Sequence, residues 1–141
     1  MHPGRAFVAG VVGALAMSLV MIGVRVAGVP LHIEAQLAAV LGTNSWMVGL
    51  TAHLLIGGAL GIVYGMAFES VLHQSGVGPG AILGAYNTII AGFVWAALGG
   101  PGHFWSAVGP RGVIALFLAH MTYGAVVGAA FQAEERLLAH Q

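Results

Sequence analysis

Four apolar stretches constrain this chain more than any other feature. They run from about Ala6 to Val29, Trp46 to Leu72, Gly80 to Leu98 and Val113 to Ala133. Crossing a hydrocarbon core of about 30 Å takes about 20 helical residues, and each stretch is close to that length or beyond it. Backbone N–H and C=O groups find no water in lipid, so an unbroken apolar run predicts a helix that satisfies them internally. The expected fold is an all-α membrane protein, a four-transmembrane-helix bundle filling one domain, residues 1–141. Composition agrees. Charged residues make up 6% and hydrophobic residues 59% of the chain, against roughly 25% charged in soluble domains. That leaves too little polar surface to cover a small globule in water. The first stretch follows a short basic start, His2-Pro-Gly-Arg5, as a secretory signal would. Its apolar run exceeds the roughly 7–15 residues of a signal core, so it reads as a span.

Several function classes are disfavoured at once. Four arginines balance four glutamates and lysine is absent, so there is no basic surplus for nucleic acid. Without cysteine there can be no disulfide, thiolate metal site or cysteine nucleophile. The chain contains no Ser-His-Asp arrangement, phosphate loop or paired catalytic carboxylates, which leans against an enzyme. Arg5 and Arg136 flank the spans on the terminal side and Arg25 and Arg111 lie toward the other, so the positive-inside count is tied. The terminal pair stands farther outside the spans and favours both termini in the cytoplasm.

The connections are punctuated. Pro30 ends the first span and can open a new helix, and Leu31, Ala35, Ala38 and Leu41 would share a face of a short interfacial or re-entrant helix. Ser45 suits the N-cap of the second span. The turn from His73 to Pro79 separates two halves, Gly99 to Gly102 breaks the chain after the third span, and Gly109-Pro110 precedes the fourth.

Those halves look alike. His53-x-x-x-Gly57-x-x-x-Gly61-x-x-Tyr64 recurs as His120-x-x-x-Gly124-x-x-x-Gly128-x-x-Phe131, offset by 67 residues, and Pro30-Leu-His32 recurs as Pro101-Gly-His103, offset by 71. The pattern predicts an internal repeat of two helix hairpins, residues 6–72 and 80–136, related by an axis along the membrane normal. Gly57, Gly61 and Gly65 lie four apart, as do Gly80, Gly84, Thr88 and Gly92; Gly124 and Gly128 follow the same rule. Small residues at that spacing let helices approach closely where lipid supplies no hydrophobic drive, so glycine-rich packing is expected. Gly76, in the turn, should be indifferent to size.

Chemistry, if the chain has any, must lie among its intramembrane histidines. His53 and His120 each fall seven residues into a span, roughly 10 Å deep, where ionisable groups face the bundle interior. His32, His103 and Glu34 belong above them on the same side. In one reading the histidines hydrogen-bond carbonyls, hydroxyls such as Thr51 and Thr122, or each other as symmetry mates, and fix helix register. In a second, His53, His120, His32, His103 and Glu34 hold a transition metal, or the His53/His120 pair ligates a haem. In a third they line a proton or solute path. Arg25 could neutralise Glu34 or simply snorkel to the interface. Met17, Met21, Met47, Met66 and Met121 read as apolar filler, Asn87 and Thr88 as interhelical hydrogen-bond partners, and Trp46, Trp95 and Trp105 as interfacial anchors. Glu69, Glu134, Glu135 and Arg136 should be solvated.

The pattern Gly10-x-x-Gly13, Met17, Met21, Pro30, Gly49-x-x-x-His53-x-x-x-Gly57, Tyr64 and His120-x-x-x-Gly124 resembles small bacterial four-span membrane proteins of uncharacterised function. The resemblance implies a helical bundle in a bacterial cytoplasmic (inner) membrane and carries over no activity. The expected function is that of a structural or accessory subunit, partnered by lipid and by other membrane subunits or itself. The alternative is a haem- or metal-binding redox protein, and the third a small transporter.

Overall fold

The computed structural model describes residues 2–97 and 104–139, which form five α-helices and no strand. Helix α1 spans Pro3–Val26, α2 Ile33–Val40, α3 Trp46–Ala67, α4 Val77–Ala97 and α5 Phe104–Ala139. Four stretches are long and apolar enough to cross a membrane: Pro3–Val26, Trp46–Leu72, Val77–Ala97 and Gly109–Ala139. The four-span bundle expected from the sequence is the observed fold.

Local chemistry sets the helix limits. Pro3 stands at the start of α1, where its missing N–H costs nothing, and the His2 imidazole accepts from the Gly4 N–H at 3.4 Å. Ser45 occupies the N-cap position of α3 but makes no side-chain capping bond. Its N–H instead donates to Thr43 Oγ1 at 3.2 Å. The end of α3 loosens into a π-helical turn, Phe68–Leu72, and His73 then turns left-handed at φ 51°. Within α5, Gly109 at φ 64° and ψ 174° interrupts the helix before Pro110. Only glycine adopts that conformation readily, so Gly109-Pro110 breaks the chain where the sequence suggests. The spanning part runs 31 residues, beyond the about 20 that lipid requires, and carries Glu134, Glu135 and Arg136 past the hydrocarbon.

The helices pack in the order α3–α1–α5–α4, with α2 laid against α3. The outer helices α3 and α4 make at most marginal contact with each other. Small residues make the inner contacts. A Cβ on Gly10 would strike the Gly57 carbonyl, and one on Gly61 the Ala6 carbonyl and Gly10 backbone. In the other hairpin a Cβ on Gly80 would strike the Gly124 carbonyl, one on Gly84 the His120 carbonyl, and one on Gly128 the Gly76 carbonyl. Gly65 faces the Phe131 ring of α5 instead. Gly92 is buried. Small residues thus line these contacts, and Gly76, expected to be indifferent to size, is buried and belongs to one of them.

The core between the hairpins is aromatic. Tyr64 meets Tyr123 edge-on at 5.3 Å between centroids, and Phe68 meets Phe131 at 5.2 Å. Tyr123 donates its hydroxyl to the Gly57 carbonyl at 2.6 Å, joining α5 to α3. Arg5 reaches Glu134 at 3.0 Å and so brings the start of α1 and the end of α5 to one side. With its side chain only 15% exposed, Glu134 is more enclosed than the solvated position expected for it.

The buried face of α2 differs from the expected one. Leu31 and Ala38 are buried as expected, but Ala35 and Leu41 are exposed and Glu34 lies inside. Arg25 explains the inversion. Its guanidinium pairs with Glu34 at 3.0 Å, and a carboxylate can be buried when a charge partner goes with it.

Candidate functional site

Because α3 and α4 do not close on each other, a cavity of about 310 Å³ opens between them. Met17 of α1 and Leu116 of α5 stand among its lining residues, as do Leu37 of α2, Ile56 and Leu60 of α3, and Ile90 and Val94 of α4. Its volume and largely apolar lining match those of small-molecule sites. Ile56, Ile90 and Val94 are also about half exposed. The cavity therefore opens sideways, toward what would be lipid.

His53 and His120 both line it. His53 comes from α3 and His120 from α5, and Asn87, Thr88, Trp95 and Tyr123 complete the polar lining. His120 Nδ1 lies 2.9 Å from the Leu116 carbonyl oxygen, one turn back on its own helix. A carbonyl only accepts, so Nδ1 must carry the proton, and the neutral ring then bears a lone pair on Nε2.

The hydroxyls near the histidines are committed elsewhere. Thr51 donates to the Met47 carbonyl at 2.9 Å and Thr122 to the Leu118 carbonyl at 2.8 Å, so neither serves a histidine as the sequence suggested. Thr88 donates to Gly84 of its own helix at 3.2 Å and does not bridge two helices. The phenol of Tyr123 is spent on Gly57. Such back-bonding to the preceding turn is the usual recourse of a hydroxyl in an apolar helix.

The expected constellation is only partly brought together. His53 and His120 share the cavity. His32 is exposed at the start of α2, and Glu34 is paired with Arg25. His103 lies outside the described residues, as do Pro101, His140 and the side chain of Trp105. Among the described residues no group of three or more His, Asp or Glu converges on a metal position. Trp46 is exposed at the start of α3, as an interfacial anchor would be, whereas Trp95 lines the cavity.

Sequence reasoning missed the cavity itself, because it depends on two helices failing to meet. Comparison with models of known families, with curated proteins and with solved structures finds no match to this chain.

Proposed function

We propose that this chain is a small non-catalytic protein of a bacterial cytoplasmic membrane, with both termini in the cytoplasm. It serves a membrane assembly, as an accessory subunit or homo-oligomer, by holding a small apolar guest in the cavity between α3 and α4. One observation carries the reading: the two histidines placed in the spans line the same apolar cavity. Ionisable side chains within spans are costly and mark functional interiors, and concave apolar sites with a few convergent polar groups are the usual form of ligand pockets.

The proposal includes a duplicated hairpin. Support comes from the matching register inside the two hairpins: Gly57 and Gly61 meet Ala14, Gly10 and Ala6 of α1, while Gly124 and Gly128 meet Gly84 and Gly80 of α4 and Gly76 just before it. The proposal also lays α2 in the membrane interface, where the Arg25–Glu34 pair anchors it.

A second reading is a haem or transition metal held by His53 and His120. The fixed tautomer of His120 favours it, because histidine ligands commonly donate one ring N–H to a carbonyl and bind metal through the other nitrogen. An optical spectrum with metal analysis, and mass spectrometry of co-purified small molecules, separate the two. The favoured reading expects no haem absorption, no stoichiometric metal, and a lipid-soluble species that disappears when Ala91→Phe fills the cavity. Haem absorption lost on either His53→Ala or His120→Ala would establish the second reading instead.

A further inference from the structure

We infer that the guest is a lipid-soluble molecule with a hydroxyl head, an alcohol, phenol or quinol, whose O–H donates to Nε2 of His120. The inference rests on the cavity reading above and names the chemical class of its ligand. Three polar side chains of the lining, Thr88, His120 and Tyr123, have assigned hydrogen bonds. Tyr123 and Thr88 have spent their protons on the carbonyls of Gly57 and Gly84. His120 has spent its Nδ1 proton on Leu116, which leaves Nε2 as an acceptor. His53 lines the same cavity from α3. An acceptor in a low-dielectric interior demands a donor. A hydrocarbon, ether or ester offers none.

Asn87 lines the same cavity from α4 and carries both an amide donor and a carbonyl. A hydroxyl can donate to a histidine and accept from an asparagine at once. The remaining wall, with Ile56, Leu60, Ile90 and Val94, suits a hydrocarbon body, and its half-exposed members put the mouth on the lateral surface. A guest dissolved in the bilayer therefore enters without crossing water. A bare cation gains nothing from such an entrance, and the described residues offer it no set of three His, Asp or Glu ligands.

The test uses the full chain in phosphatidylcholine nanodiscs. Its probes are a diazirine-bearing hexadecanol and the O-methyl ether of the same compound. Saturable photolabelling by the alcohol on α3 and α4 is expected, with the ether about tenfold weaker, the worth of one net hydrogen bond. His120→Leu should erase the difference between the probes, and Ala91→Phe, which leaves His120 in place, should abolish labelling by both. Equal saturable labelling of the wild type by both probes overturns the hydroxyl assignment while leaving a ligand cavity. Labelling by neither overturns the assignment and the cavity reading together.

Discussion

Two tyrosines show how far a single polar atom decides stability in this bundle. Tyr123 donates its hydroxyl to the Gly57 carbonyl at 2.6 Å, whereas the hydroxyl of Tyr64, buried beside it, has no partner among the described residues. Tyr123→Phe should lower stability by about 1 kcal/mol, one net hydrogen bond. Tyr64→Phe removes an unpaired buried group and should leave the melting temperature in detergent unchanged or raised. A fall for Tyr64→Phe as large as that for Tyr123→Phe would contradict these assignments. Arg25 and Glu34 make a second case. Arg25→Met alone leaves a carboxylate uncompensated in a buried site and should cost about 3–5 kcal/mol, while the double change Arg25→Met with Glu34→Leu should recover most of that loss. Chemical denaturation in mixed micelles measures both. The ion pair was one of the two readings the sequence left open for Arg25, because both residues flank Pro30. The tyrosine bond was not, since it joins residues 66 apart and turns on a carbonyl already used within its helix.

At the scale of the helix, close approach is governed by a few glycines. Gly61→Leu and Gly84→Leu put side chains into the backbone of α1 and α5, and overpacking of a tight contact costs about 1–3 kcal/mol or more. Gly78, with nothing near its Cβ position, is the proper control, because Gly78→Leu should be nearly silent. Gly76 sits in the turn, and its sequence position suggests a neutral site. It has φ 127°, lies against Gln132, and lends its carbonyl to the Gly128 contact, so Gly76→Leu should also destabilise. Thermal stability of the four variants in one detergent checks the order, and equal values would defeat the packing account. Spans and small-residue stripes were readable because both follow from spacing along one helix. The buried face of α2 was half misread, since an isolated helix pattern puts Glu34 outside and only its tertiary partner Arg25 brings it in.

The molecule as a whole takes its character from an unequal pairing of its two hairpins. Each hairpin is internally tight, and the two join through α1 and α5 while α3 and α4 stay apart. Tyr123 occupies the join, bonded to Gly57 and edge-on to Tyr64, and the residue at the matching position of the first half is Ile56, which cannot do the same. The shared His-x-x-x-Gly spacing singles out the two histidines, but no pattern along the chain states which helices are left apart. The site was therefore half legible: its two histidines could be named, and the cavity that unites them could not. The most direct test exploits the absence of cysteine. With His53→Cys and His120→Cys in one chain, a short membrane-permeant bifunctional thiol reagent should bridge the two positions. After proteolysis in the His73–Gly76 turn the halves should stay joined, with one reagent per chain. Two reagents per chain, each capping one thiol on separable halves, would contradict the shared cavity.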